Sequence, residues 1–123
     1  VWEAARFAGA KKRDNLVVIV DNNGLQIDGK IEDVNSPYPI DEKFKAFNFH
    51  VINIDGHDFG QIAEAFEEAR GTKGCPTAII MKTIKGKGVS YMENQAGWHG
   101  KAPNEEEYKI AMEDLEKAGA ALC

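Results

Sequence analysis

The chain has 123 residues, 43% of them hydrophobic and 28% charged, with a formal net charge of -5, enough for one domain with one core. The negative charge argues against nucleic acid as the main partner, and no apolar run approaches the roughly 20 residues of a membrane span. Cys75 and Cys123 lie far apart and match no metal motif, so a reducing, cytoplasmic compartment is the simplest assumption and Cys75 reads as a small apolar residue at a strand start.

Val1-Trp2-Glu3 shows no Met, charged leader or cleavage pattern and reads as the middle of a helix rather than a signal peptide. Trp2, Ala5, Phe7, Ala8 and Ala10 among good helix formers predict a helix from 1 to about 11. Residues 16–20, Leu-Val-Val-Ile-Val, form a continuous apolar run, which predicts a strand buried on both faces. Asp21-Asn22-Asn23-Gly24 ends it with turn chemistry. Gly24, Gly29, Pro37 and Pro39 make 24–40 a long loop. Asp41 is placed to cap a short helix through about Phe47, with Phe44 and Phe47 on one face. Residues 50–54 read as a second strand. Asp58 with Gln61 suggests a capping box, Phe59, Ile62, Ala63 and Phe66 give helical spacing, and Gly71 and Gly74 end that helix. Pro76 precedes a third strand, Thr77 to Met81. Residues 84–103 form a second long loop, and Asn104 with Glu107 repeats the capping-box pattern before a helix from Glu105 to about Ala118.

The alternating order predicts an α/β fold, a parallel sheet with helices on both faces. Both long loops follow strands at their C-terminal ends, where open α/β sheets bind ligands. Asp21–Asp41 and Ile84–Pro103 are therefore the expected functional edge.

Charge sharpens the second loop. Lys82, Lys85, Lys87, His99 and Lys101 face only Glu93, and the next stretch is acidic. A local basic patch on an acidic chain suits a compact anion; a solvated basic loop is the plainer alternative. Asn22 and Asn23 either make the turn, since Asn tolerates left-handed conformations, or supply an amide oxygen to a hard cation such as Mg²⁺, which binds few protein groups plus substrate phosphates. In Ile84-Lys85-Gly86-Lys87-Gly88, glycines let the backbone approach a phosphate and ammonium groups neutralise it; the remaining residues of a Walker A loop are absent. His99, in Gly97-Trp98-His99-Gly100-Lys101, is a candidate acid/base or phosphate contact, with Trp98 pinning the segment and the glycines leaving the imidazole accessible. His50, at a strand start, and His57, beside a helix cap, are weaker candidates.

Together these motifs resemble a family. Asp21-Asn22-Asn23-Gly24-Leu25 resembles the closing half of the thiamine-diphosphate motif, which opens with Gly-Asp-Gly. Lys82-Thr83-Ile84-Lys85-Gly86-Lys87-Gly88 and Gly97-Trp98-His99-Gly100-Lys101-Ala102-Pro103 look like two transketolase loops, the second bearing a cofactor-contacting histidine. Val1-Trp2-Glu3-Ala4-Ala5, Phe47-Asn48-Phe49-His50 and Asp55-Gly56-His57 are similar in order and spacing.

The resemblance implies a partial thiamine-diphosphate-binding domain over 1–123, of the diphosphate-binding type. It implies Mg²⁺ bound by the Asn23 side-chain oxygen and the Leu25 carbonyl, and Lys85 and His99 at the diphosphate or reacting centre, with Ile27 walling the site. It also implies transfer of a two-carbon ketol unit between sugar phosphates. The cofactor carries that chemistry and the protein holds it. The Gly-Asp-Gly carboxylate, the preceding histidine-bearing segments and the activating glutamate of a pyrimidine-binding domain are not in this sequence. An oligomer, homo- or hetero-, is expected to complete the site, and the isolated chain is expected to be inactive. The rival readings are a related thiamine-diphosphate enzyme, such as a deoxyxylulose-phosphate synthase or a 2-oxoacid dehydrogenase component, and a non-catalytic α/β association module. Trp98-His99-Gly100 tilts against the first rival.

Overall fold

The computed structural model describes residues 1–121; Cys123 lies outside them. The elements run α1 (Trp2–Ala10), β1 (Val17–Asn22), β2 (Leu25–Gln26), β3 (Gly29–Lys30), α2 (Ile31–Asn35), α3 (Ile40–Ala46), β4 (His50–Asp55), α4 (Phe59–Gly71), β5 (Thr77–Lys82), a 3-10 turn (Ala96–Trp98) and α5 (Glu105–Ala120). They form two compact units. The first comprises Val1–Asn22 and Pro37–Thr83; the second comprises Asn23–Ser36 and the described residues from Ile84 onward. Among the described residues no helix is long and apolar enough to cross a membrane.

The first unit is an α/β layer with a parallel three-stranded sheet of order β1-β5-β4. On one face Ala5 and Ala8 of α1 and Ile40 and Phe44 of α3 pack with Phe49, Ala78 and Ile80, while Val18, Val20 and Val51 lie against the cluster. Trp2 and Phe49 reach the Phe44 ring at 5.3 and 5.1 Å. Helix α1 approaches so closely that a methyl at Gly9 would lie 1.8 Å from the Phe47 carbonyl oxygen. On the other face α4 buries Ala65 and Ala69, and its Glu68 reaches His50 at 2.5 Å.

The two-faced burial expected of the first strand belongs instead to β5, where Thr77 through Ile80 are all buried. β1 alternates, with Val17 36% and Ile19 51% exposed. Both strands are apolar; position decides the outcome. β5 is central, whereas β1 is an edge strand covered on the α1/α3 face only.

Three local expectations also change. Pro39, not Asp41, holds the N-cap of α3, which has no side-chain cap, and Asp41 falls in the first turn. At α4, Asp58 accepts from Gly60 and Gln61 amides, but the Gln61 side-chain oxygen accepts the Asp55 amide instead of the Asp58 amide, so the box is half-formed. The stretch 24–40 is not a structureless loop, since it contains the β2–β3 hairpin and α2. Asn104 and Glu107 form a full capping box on α5.

The second unit has little apolar interior. Val89 and Ala111 are its buried hydrophobic residues among those described. The long segment after Ile84 is held to α5 by polar contacts: Ser90 donates through its amide and hydroxyl to Asp114 at 2.9 and 2.6 Å, and Tyr91 donates to the Glu107 carbonyl at 2.7 Å. A methyl at Gly88 would lie 3.3 Å from Leu115.

Candidate functional site

In a parallel sheet all strands end at one edge. Here that edge carries Asn22, Lys82 and Asp55, paired across β1, β5 and β4. Within the first unit the Thr83 hydroxyl donates to Asp21, the Gly56 amide to the Lys82 carbonyl at 2.8 Å, and the Tyr38 hydroxyl to the Asn22 side-chain oxygen at 2.7 Å. Asn22 is thus engaged in holding the edge. A methyl on Gly56 would come within 2.5 Å of the Thr83 side chain.

Asn23 opens the second unit. Its side-chain oxygen accepts the Leu25 amide at 2.9 Å, an Asx turn that Gly24, at φ 72°, continues. The Ile31 amide then donates to the Gly24 carbonyl at 2.9 Å, and β2 and β3 pair antiparallel, Leu25 with Lys30 and Gln26 with Gly29. Ile27 stands at the hairpin tip, 63% exposed. An amide oxygen has two lone pairs, so the turn occupies one and orients the group while one remains. Among the described residues no cluster of three or more His, Cys, Asp or Glu could hold a metal. The Asn23 amide oxygen and the Leu25 carbonyl are neutral oxygens, the donor type that a hard cation accepts alongside carboxylates and phosphates.

The Gly-Lys loop is more internally committed than its composition suggests. Gly86 sits at φ 72°, where a methyl would lie 2.6 Å from the Met92 carbonyl oxygen. The Gly88 amide donates to Glu93 at 3.0 Å, which also approaches Lys87 at 3.6 Å. Lys85 uses its carbonyl to accept the Asn94 amide at 3.0 Å, and its side chain is half-buried.

His99 is exposed, and its amide donates to the Ala96 carbonyl at 3.0 Å. The flanking side chains are tied down. The Trp98 indole N–H donates to the Tyr91 carbonyl at 3.1 Å, with the two rings 5.0 Å apart. The Lys101 ammonium lies 4.0 Å over the Trp98 ring and 3.2 Å from Glu107. The backbone amide of Asn104 holds the Glu107 carboxyl below its ordinary pKa, with Lys101 adding to the effect. Ser90 does the same for Asp114, whereas desolvation pushes the Tyr91 hydroxyl up.

All five candidate residues, Asn23, Leu25, Ile27, Lys85 and His99, fall in the second unit. His50, at the start of β4, pairs with Glu68 away from the strand C-termini. His57 follows β4, with its amide donated to Asp55 at 2.9 Å. Tyr38, Glu93 and Glu107 hold these segments through contacts that lie outside the motifs. Glu107 had a local signal in its spacing from Asn104, and Glu93 in being the one acid among the lysines; Tyr38 had none.

A family model described as transketolase, thiamine diphosphate binding domain, matches residues 1–118. The 6-deoxy-6-sulfo-D-fructose transketolase subunit of a Clostridium species is 42% identical over 120 residues, 98% of this chain and 44% of that protein. An apulose-4-phosphate transketolase subunit of Actinobacillus succinogenes is 37% identical over 114 residues, 93% of this chain and 41% of that protein. The transketolase structure from Campylobacter jejuni superposes with a TM-score of 0.85 at 34% identity, covering 94% of this chain and 18% of that one. The chain thus spans less than half the length of these relatives.

Proposed function

Because the chain belongs to the transketolase family, by way of its thiamine diphosphate binding domain, we propose that it supplies the diphosphate-and-metal wall of a transketolase active site. All of it, 1–123, then forms part of one cofactor-binding domain. The reaction is transfer of a two-carbon ketol unit from a ketose phosphate to an aldose phosphate. The observation that carries this reading is that Asn23, Leu25, Ile27, Lys85 and His99 all fall in one unit, on segments that follow β1 and β5.

Thiamine diphosphate supplies the carbanion chemistry when bound. The residues of this chain do the rest: Asn23 and Leu25 present two neutral oxygens to Mg²⁺, Lys85 brings an ammonium to the phosphates, Ile27 offers an apolar wall, and His99 holds or moves a proton beside the diphosphate and the reacting carbon. A pyrimidine-binding domain or subunit completes the site, in a homo- or hetero-oligomer working in the cytoplasm. The relatives named as subunits support that division. Their names also bring 6-deoxy-6-sulfo-D-fructose and apulose 4-phosphate into the range of sugars to be tried. Without the partner and a carboxylate ligand for Mg²⁺, the isolated chain does not turn over.

The test uses the assembled enzyme. Asn23→Ala is expected to raise the Mg²⁺ and cofactor concentrations needed for activity, with partial recovery at high concentrations. His99→Ala is expected to lower turnover at saturating cofactor, because a positioned acid/base group contributes about 10²–10⁴-fold. Near-normal saturated turnover in His99→Ala removes that residue from catalysis. An Asn23→Ala enzyme with unchanged Mg²⁺ requirement removes the metal role.

A further inference from the structure

The backbone of His99 is loosely determined by its own segment. Glycines flank it at 97 and 100, Gly100 has φ 83°, and one hydrogen bond, from its own N–H to the Ala96 carbonyl, ties it to the preceding 3-10 turn. Its ring direction therefore depends on how firmly its neighbours are fixed. Both neighbouring side chains are drawn into a closed circuit that begins and ends on one residue of α5. The Glu107 carboxylate meets Lys101 at 3.2 Å. Lys101 lies 4.0 Å over Trp98, the Trp98 indole donates to the Tyr91 carbonyl at 3.1 Å, and the Tyr91 hydroxyl donates to the Glu107 carbonyl at 2.7 Å. The second carboxylate oxygen of Glu107 accepts the Asn104 amide at 2.8 Å, so the anchor is itself fixed to the first turn of α5.

We propose that Glu107 is a positioning residue for His99, closing a circuit through Lys101, Trp98 and Tyr91 that fixes the segment on both sides of the imidazole. The inference rests on the reading of His99 as a cofactor or substrate contact. Magnitudes favour orientation over stability as its purpose. The Lys101 side chain is 53% exposed, and a pair so wetted adds little to folding. A circuit, however, orders each member against one already ordered, and catalysis responds steeply to small displacements. Helix capping alone explains the bond to Asn104, but neither Lys101 nor the tyrosine hydroxyl.

Glu107→Gln separates the two roles, because Gln at this position still closes a capping box while losing its charge toward Lys101. Tyr91→Phe opens the circuit at its other end without touching the cap. In the purified chain, ¹⁵N heteronuclear NOE values at His99, Gly100 and the Trp98 indole are expected to fall in both variants, with the backbone amides at positions 106 and 107 unchanged. In the assembled enzyme at saturating thiamine diphosphate, Glu107→Gln is expected to lower kcat on the order of tenfold, with melting temperature and cofactor KM near wild type. Unchanged NOE values overturn the proposal, as does normal kcat despite a loosened segment. If His99→Ala turns over normally while Glu107→Gln loosens the segment, the catalytic reading of His99 has failed and the circuit is only part of the fold.

Discussion

The two units of this chain are built by opposite means. The first closes around apolar contacts: Ile79 is 1% exposed, Phe44 2% and Ala78 0%, in a sheet with helices on both faces. The second has two buried hydrophobic residues among those described, Val89 and Ala111, and is held by directed bonds such as Ser90 to Asp114 and Tyr91 to Glu107. Apolar packing is non-directional and strong in sum. Hydrogen bonds between half-exposed groups are modest, but they fix angles. Every proposed cofactor contact lies in the second unit, where direction matters more than cohesion, as is common for functional loops carried by a rigid scaffold.

The comparison can be broken most decisively in the sheet. Ile19 and Ile79 are register partners, yet one is 51% exposed and the other 1%. Ile79→Ala is expected to cost about 2–5 kcal/mol, and Ile19→Ala less than about 1 kcal/mol, by urea denaturation of the purified chain. Equal costs would mean that β1 is covered in solution.

In the second unit the larger effect should come from Gly86→Ala. A left-handed backbone costs a non-glycine residue about 1–2 kcal/mol, and the Met92 carbonyl 2.6 Å from the new methyl adds a clash. The expected readout is faster amide exchange at Gly88, Val89 and Asn94 with the sheet amides unchanged. Global loss of protection would show the units to be one cooperative body. Asn104→Ala should cost about 1 kcal/mol through the lost N-cap, read as fraying of the first turn of α5.

The smallest effect is with pH. Glu107 and Asp114 have folded pKa values below their ordinary 4.5 and 3.8. Their contribution is therefore complete above those ordinary values and is lost as pH falls through the depressed ones. On titration from pH 6 toward 3, protection at Ser90 and Asn104 is expected to weaken before that of β5. If β5 protection fails first, these carboxylates do not hold the loop.

The fold was largely legible because strands and helices leave periodic marks. The helix caps at Asp58 and Asn104, the three apolar runs and the parallel arrangement all follow from local chemistry. What local chemistry does not carry is neighbourhood. Leu16–Val20 and Thr77–Met81 are similar runs, and only the strand order makes β5 the doubly covered one. The hairpin at Leu25–Lys30 has strands of two residues, too short for any period to register. Asn23, Lys85 and His99 could be picked out by type and by their place after strands, whereas Leu25 and Ile27 came only from the family resemblance. Their supports could not, because Tyr38 with Asn22, or Tyr91 with Glu107, pairs residues sixteen apart through bonds that no spacing rule announces.

The seam between the Ile84 segment and α5 also sets which changes of length the protein tolerates. Tyr91, Ser90 and Gly88 meet Glu107, Asp114 and Leu115 in turn, so the segment descends about 12 Å of helix like a zip with teeth of fixed pitch. One residue inserted into α5 between Glu107 and Asp114 swings everything beyond it by about 100° and leaves two of the three teeth facing away. Around Gly97 a methyl would meet nothing within 4 Å, so a larger side chain there has room, but an added residue would shift Trp98 out of its bond to Tyr91. Length is therefore constrained both along the seam and at its turn, while side-chain size at the turn is not.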